Sequence, residues 1–394
     1  MSSRKVKFNL PAGRRRKAAQ RVDEVELVIR DLTSNGQGVG EAPDGQVVFV
    51  GGAWLNERVL VRRTRQGAKT STQLLEVIDA CEERVEPVCA HHRENQCGGC
   101  PWMFVSYDAQ LSAKADKLRA SLEALHATQI VPVIHPSPRQ WGYRNRAQLK
   151  TNGTALGYLA ASSHAIVDVS VCPILTEPNQ EQLTELREQL PNNKWRPKSR
   201  QKWVTLDIDD QRSSPLVNQR QSFRQTNDDQ NAFMSRWLAR TLKSLSSPAG
   251  LLELFCGSGN LTSVLADCFP DHQITAVEGD EWALKQLLSL ELPNVETQCR
   301  NLFSATDIEA MSTTIPMAQG IVLDPPRDGL KERDALTLLF SEAPWVVYIS
   351  CNLATWQRDA HFLQAQGFSL TQVEGLDMFP QTPHLEVLSV FERK

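Results

Sequence analysis

From residue 230 onward the sequence permits one kind of architecture. Helical periods alternate with short apolar runs: helix 230–245, strand 251–255, helix 260–268, strand 274–278, helix 281–290, strand 295–299, strand 320–324, helix 332–342, strand 345–350, helix 354–366, and strands near 369–375 and 386–391. Runs such as Leu251-Leu252-Glu253-Leu254-Phe255, Gly320-Ile321-Val322-Leu323 and Trp345-Val346-Val347-Tyr348-Ile349 leave no wet face. Strands of a parallel sheet, covered on both sides by helices, read this way. The rhythm predicts a doubly wound α/β domain with a mostly parallel sheet. Ligands of such sheets lie beyond the carboxyl ends of the strands. Three of those ends carry chemistry: Cys256-Gly257-Ser258-Gly259-Asn260, Asp324-Pro325-Pro326-Arg327 and Ser350-Cys351-Asn352.

The rest of the chain divides by composition. Residues 22–80 hold short strands, among them Val47-Val48-Phe49-Val50, Arg58-Val59-Leu60-Val61-Arg62 and Leu74-Leu75-Glu76-Val77-Ile78, with glycines at 36, 38, 40 and 45. That spacing suggests a small barrel. Arg58, Arg62, Arg63, Arg65 and Lys69 put positive charge on one of its hairpins. Residues 81–222 are irregular and cysteine-rich at first, then mix a helix with short strands. Leu111, Ala115, Leu118, Leu122 and Leu125 form the stripe of an amphipathic helix. Residues 1–21 hold eight Lys and Arg and no acid, so a chain of net charge −3 has a basic arm on an acidic body. Such an arm is either a solvated disordered tail or a phosphate-binding one. No apolar run is long enough to span a membrane and no secretory pattern is present, so a cytoplasmic location is expected. Nine cysteines in that setting point to metal binding or catalysis rather than disulfides.

The turn at Gly257 and Gly259 lets backbone approach a ligand. The following strand, Ile274-Thr275-Ala276-Val277, ends in Glu278, placed to accept hydrogen bonds from ribose hydroxyls. With no full three-glycine fingerprint there is no pyrophosphate cradle, so S-adenosylmethionine fits better than NAD. Cys89 and Cys97-Gly98-Gly99-Cys100 can grip one metal centre. The fourth thiolate is best supplied by Cys172, with Cys81 as the spare. From chemistry alone an iron–sulfur cluster and a zinc ion remain equally open, His91 and His92 being available to zinc. Cys256, Cys268 and Cys299 read as small core residues.

These motifs resemble one family closely, the RNA (uracil-5-)-methyltransferases that make 5-methyluridine. The resemblance spans about residues 22–394 and rests on Phe223-Arg224-Gln225-Thr226-Asn227, Leu254-Phe255-Cys256-Gly257-Ser258-Gly259-Asn260, Asp324-Pro325-Pro326-Arg327, Ser350-Cys351-Asn352 and His384-Leu385-Glu386, in family order. It is strongest for the branch with an N-terminal TRAM barrel and a 4Fe-4S cluster that acts on 23S rRNA. The resemblance implies a Rossmann-like methyltransferase domain at 223–394, an OB-like TRAM β-barrel at 22–80 for RNA binding, and a small α+β iron–sulfur domain at 81–222, whose helix near 101–132 packs on the catalytic domain. It implies Cys89, Cys97, Cys100 and Cys172 as ligands of the 4Fe-4S cluster. Gln225, Phe255, Asn260, Glu278, Asn301 and Asp324 are implied to hold S-adenosylmethionine, Cys351 to be the nucleophile, Glu386 the general base, and Arg144 part of the RNA site. Two positions depart from the family: Leu353 replaces the usual proline after Cys-Asn, and Pro383 the glycine before His-Leu-Glu. Both bear on loops near the base.

The expected reaction methylates carbon 5 of a uridine in structured RNA through a Cys–uracil adduct. RNA is the expected partner, 23S rRNA before tRNA, with neither a membrane nor an obligate protein partner. An inactive RNA-binding protein of the same build would not need Cys351, Asp324 and Glu386 together. An amino-group methylase using Asp-Pro-Pro would leave Cys351 idle.

Overall fold

The computed structural model describes residues 20–393 except 68, 94–96, 162, 220 and 316–318. The basic arm at 1–21 therefore lies almost wholly outside the described residues. The chain forms two compact units, one ending at Glu82 and one beginning at Glu83.

The first unit is a five-stranded antiparallel sheet made of β1 (Gln20–Leu32), β2 (Gly38–Glu41), β3 (Val47–Val50), β4 (Arg58–Gln66) and β5 (Lys69–Asp79), in the order β3-β2-β1-β4-β5. Alternation puts Leu27, Ile29, Val48, Val50, Val59 and Val61 into one apolar core. The outer strands approach each other where Gln46 Nε2 donates to Thr70 Oγ1 at 3.1 Å and the Thr72 hydroxyl donates to the Phe49 carbonyl. The sheet thus curls into a half-barrel of OB-like character. The hairpin arginines do not make a free cationic face, contrary to the sequence expectation. Register sets Asp23 opposite Arg63 and Glu24 opposite Arg62. Arg63 bonds Asp23 at 2.6 Å and Asp44 at 2.9 Å, Arg65 bonds the same two acids, Arg62 bonds Glu24 at 2.8 Å and Arg58 bonds Asp79 at 2.7 Å. Cross-strand acids match these charges side chain by side chain.

The second unit begins with α1 (Ala90–Arg93) and α2 (Tyr107–Ala124), followed by β6 (Val133–His135). A five-stranded antiparallel sheet follows, built from β7 (Arg146–Thr151), β8 (Leu156–Leu159), β9 (Ile166–Asp168), β10 (Val204–Asp209) and β11 (Leu216–Val217) in the order β11-β10-β7-β8-β9. Helix α3 (Glu177–Glu188) covers it with Leu183 and Leu186. Helix α2 belongs elsewhere. Its Leu118 and Leu122, with Leu125 beyond its end, join the core of the large α/β sheet, and β6 adds to the edge of that sheet. The face that α2 buries is not the purely apolar stripe of the sequence, because Gln110, Lys114 and Ser121 are buried on it as well.

The α/β layer comprises α4 (Asp228–Ser244), β12 (Leu251–Leu254), α5 (Asn260–Cys268), β13 (Ile274–Glu278), α6 (Glu281–Leu288), β14 (Val295–Cys299), α7 (Ala305–Ser312), β15 (Gly320–Leu323), α8 (Arg333–Phe340), β16 (Trp345–Ser350), α9 (Leu353–Ala365), β17 (Phe368–Leu376) and β18 (Glu386–Arg393). The sheet order is β14-β13-β12-β15-β16-β18-β17-β6. Strand β18 alone among its strands runs against its neighbours, antiparallel to both β16 and β17. Apolar clusters lie on both faces of the sheet.

Local chemistry fixes the turns. Gly259 starts α5 with φ at +96°, where a side chain is disfavoured. A Cβ there would also lie 2.6 Å from Leu287. Asn352 caps α9 by accepting from Ala354 N at 3.1 Å. Leu353 is the first residue of that helix, the position where proline is merely one favoured choice, so replacing proline there leaves the turn intact. Gly259→Ala is expected to lower unfolding stability by about 2 kcal/mol, read as a lower urea midpoint.

Candidate functional site

The carboxyl ends of β12 to β16 and the start of β18 meet at one cavity of about 1030 Å³. Gln225, Phe255, Asn260, Glu278, Asn301, Asp324, Cys351 and Glu386 all line it. The sheet explains this convergence. Parallel strands put their C-terminal residues on one edge, and the reversed strand β18 brings its first residue to the same edge. Ser350 pairs with Val387 in the β16–β18 ladder, so the next step of the register sets Cys351 across from Glu386.

One side of the cavity suits a nucleoside. Phe255 and Phe303 lie 5.7 Å apart between ring centres, and Lys331 sits over Phe303 at 4.7 Å. Phe255 holds φ at +64°, a conformation that costs a non-glycine residue energy and concentrates at functional turns. The Glu278 carboxylate accepts from Gly257 N at 3.1 Å, Gly279 N at 2.8 Å and Asp280 N at 2.9 Å. A carboxylate has about four acceptor sites. One further hydroxyl can therefore bond without disturbing these amides, and a second requires one of them to loosen. Asn260 and Asn231 exchange side-chain amide bonds of 2.9 and 3.0 Å. The Asn301 side chain accepts from Phe303 N at 3.0 Å. Gln225 is buried, and its carbonyl accepts from Asn145 Nδ2 at 3.0 Å.

The other side is crowded with acids. Burial pushes Asp324 up to about 7. Burial first, and then Asp324, lifts Glu386 well above the ordinary carboxyl range. Two such acids do not both ionise readily, and the pair retains a proton. Burial, then Glu386 and Asp324, raise the Cys351 thiol to about 12, with Arg327 opposing. Glu253 is driven up to about 8, by burial first. Arg146 and Arg224 also line the cavity, but each is committed to acids: Arg146 to Asp207 through two bonds of 2.9 Å, and Arg224 to Asp209 at 2.8 Å. The cavity is thus short of positive charge, and a sulfonium-bearing nucleoside fits it. In the sequence Arg327 is only the last residue of Asp324-Pro325-Pro326-Arg327. Its role comes from facing Cys351 and Glu386, which the motif did not reveal. Glu253 reads as an ordinary strand residue, and only the crowding of acids marks it.

Cys89, Cys97, Cys100 and Cys172 are neighbours. Burial raises Cys97, Cys100 and Cys172, and thiol–thiol repulsion adds to it, Cys100 feeling Cys172, Cys97 and Cys89 in turn. Gly98 permits the approach, since a Cβ there would lie 2.8 Å from Ala161 Cα. Yet no three His, Cys, Asp or Glu among the described residues converge tightly enough to hold a metal ion. The four thiols are near one another without forming a finished cage. Cys81 belongs to the first unit, where its backbone N and its thiol both donate to Glu57 Oε1. Arg144 is absent from the cavity lining and lies instead where its charge acts on Cys100 and Cys172. Of the three cysteines expected in the core, Cys256 is buried, Cys268 is half-buried and Cys299 is exposed at the end of β14.

The profile of the tRNA (Uracil-5-)-methyltransferase family matches residues 193–394. An uncharacterised RNA methyltransferase of Nitrosomonas europaea is 35% identical over 383 residues, covering 93% of this chain and 96% of the relative. The chain belongs to the RNA (uracil-5-)-methyltransferase family. It is an S-adenosylmethionine-dependent enzyme of that family. The 23S rRNA (uracil(1939)-C(5))-methyltransferase RlmD of Halomonas elongata is 29% identical, covering 93% of this chain and 89% of that protein. In fold, the chain is similar to the Pyrococcus abyssi tRNA (uracil-54, C5)-methyltransferase in complex with S-adenosyl-L-homocysteine, with a TM-score of 0.67 at 21% identity over 93% of this chain and 99% of the other. Among the described residues no helix is long and apolar enough to cross a membrane.

Glu253 yields a test of the acid crowding. Its folded-state value is raised, so the folded chain keeps that proton to higher pH than the unfolded chain. Stability must then fall as pH climbs from the ordinary carboxyl range through about 8. Glu253→Gln removes this penalty. Its thermal midpoint relative to the unaltered chain should rise more at about pH 9 than at about pH 6; an equal change at both would refute the assignment.

Proposed function

We propose that this enzyme methylates carbon 5 of one uridine in 23S rRNA through a covalent adduct at Cys351. The observation that supports it most is the meeting, in one cavity, of the thiol that ends β16 and the carboxylate that opens β18. Carbon 5 of uracil is a weak nucleophile. The sulfur of Cys351 bonds to carbon 6, and the ring electrons move toward carbon 5. S-adenosylmethionine, when bound, supplies an electrophilic methyl group and a positive charge beside the buried acids. Glu386 then takes the proton from carbon 5. The electrons left behind restore the ring double bond and expel Cys351 as thiolate. Cys351 rests as the neutral thiol, so as the sulfur adds, its proton passes to solvent. Arg327 is the cation of this chain that favours that loss.

Gln225, Phe255, Asn260, Glu278, Asn301 and Asp324 are the residues that would hold the methyl donor. Cys89, Cys97, Cys100 and Cys172 would hold a 4Fe-4S cluster, and their soft thiol donors and mutual repulsion suit a cationic centre. Such a cluster, when bound, supplies rigidity here, since methyl transfer moves no net electrons. The half-barrel at 22–80 is read as a TRAM domain, residues 1–21 as a basic tail, 81–222 as the iron–sulfur domain and 223–394 as the methyltransferase domain. Arg144 is read as part of the RNA site. A uridine in a loop or flipped from a stack is the substrate form, because neither face of a stacked base is accessible. The location is cytoplasmic. A tRNA substrate is the second reading, favoured by the description of the matching family.

Incubation with 5-fluorouridine RNA and S-adenosylmethionine should trap a protein–RNA adduct, because fluorine cannot leave as a proton. Cys351→Ala should abolish both adduct and turnover, and Glu386→Gln should let an adduct gather on ordinary RNA. Full turnover by Cys351→Ala would end this reading. Anaerobically purified protein should be brown with broad visible absorption, and Cys89→Ser should lose that absorption while keeping affinity for the methyl donor.

A further inference from the structure

The loop from 377 to 385 delivers the chain into Glu386, and an unusual share of it is tied down from outside. Its five consecutive carbonyls from Asp377 to Gln381 all accept hydrogen bonds. Their donors are Gln230 Nε2 at 2.9 Å, Asn227 Nδ2 at 3.2 Å, Lys114 Nζ at 3.5 Å beside the Thr382 hydroxyl at 2.7 Å, Tyr143 OH at 3.1 Å and Trp102 N at 3.0 Å. The Asp377 side chain is fully buried and receives Lys114 Nζ at 2.5 Å and Tyr107 OH at 2.6 Å.

Gln381 is the turning point. It is buried and holds φ at +70°, a strained value for a residue with a side chain. Gln110 of α2 compensates. Gln381 N donates to Gln110 Oε1 at 2.9 Å, and Gln110 Nε2 donates to Gln381 Oε1 at 3.0 Å. Gln110 Nε2 also reaches the carbonyls of Val105 and Trp102 at 2.9 and 3.2 Å. One side chain thus joins the segment just after Cys100 to the loop just before Glu386.

We propose that Gln110 and Gln381 are positioning residues for the general base: their reciprocal amide bond latches the loop so that Glu386 meets the reacting carbon. The inference rests on the Cys351 and Glu386 assignments of the proposed function. Strand pairing fixes the backbone of Glu386 from one side only, since it is the first residue of β18. Its approach is set by the loop. With the amide pair gone, only Trp102 N among the described residues still holds the Gln381 backbone, through its carbonyl, and the strained turn relaxes. A displacement of about 1 Å at a reacting group can cost a hundredfold in rate.

The effect should be confined to the step Glu386 performs. Gln110→Met keeps the bulk and removes both bonds, whereas Gln381→Met keeps the bulk and removes the side-chain bond alone, its backbone N still able to donate to Gln110 Oε1. With an ordinary 23S rRNA fragment that the wild type methylates, and methyl-labelled S-adenosylmethionine, both should accumulate labelled protein–RNA adduct on denaturing gels. Release of product should slow about tenfold or more. Adduct formation on 5-fluorouridine RNA and affinity for S-adenosylmethionine should change less than about twofold, which a general loss of structure would not spare. The double variant should be no slower than Gln110→Met alone, because that change already removes both bonds of the pair. Release at the wild-type rate, or an equal loss of formation and release, overturns the latch. Should a Met variant fail to fold, Gln381→Asn decides, since its amide tolerates left-handed backbone but is one methylene too short; rapid release by it also overturns the latch. If the wild type forms no adduct on 5-fluorouridine RNA, the assignment of Cys351 falls and takes the latch with it, whereas a wild-type adduct beside unaffected variants sinks the latch alone.

Discussion

The antiparallel ladder between β16 and β18 decides where the chemistry can happen. Strands β12 to β16 end at the cavity, and the reversed β18 begins there. A reversed strand is the economical way to set a carboxylate opposite a thiol without a long loop from a second domain. Side chains alternate across a sheet, so slipping this register by one residue would turn Glu386 to the opposite face. The slip is opposed by burial on both faces, because Val387, Leu388, Val390 and Phe391 are all buried. Core packing thus maintains the geometry of the site from a distance.

Electrostatics gives the cavity its character. Asp324, Glu386 and Glu253 hold their protons more tightly than exposed acids do, and Cys351 rests as a thiol. Positive charge entering such a site is favoured, because it lowers the cost of ionising these groups. The loop carrying Arg327 is anchored for its part by α9: Asn352 Nδ2 and the Thr355 hydroxyl bond the Arg327 carbonyl at 3.0 and 3.1 Å. Asp359, fully buried, receives Leu330 N at 2.8 Å and Tyr348 OH at 2.9 Å. Strand β16, helix α9 and the Asp-Pro-Pro-Arg loop are thereby tied to one another.

Much of this was legible beforehand because apolar runs and turn residues act locally. The strand ends at Leu254, Glu278, Leu323 and Ser350 follow from hydrophobic runs meeting glycine, acid or proline. What could not be read were interactions whose partners lie far away in sequence. Gln110 and Lys114 look like solvent-facing positions of a helix until the loop at 377–381 is brought against them. The hairpin arginines look like a cationic surface until pairing sets Asp23 and Glu24 beside them and the turn at Asp44 reaches them. The reversal of β18 is likewise invisible to periodicity, since a buried strand has the same pattern in either direction. The four cysteines were legible as a group by spacing and resemblance, whereas their approach depends on Gly98 closing against Ala161.

The three amides on Glu278 have a consequence for catalytic cycling. Because Gly257, Gly279 and Asp280 already orient that carboxylate, the glycine turn does not need a ligand to keep its shape. Spent donor can depart and a fresh molecule can arrive without the pocket collapsing between visits.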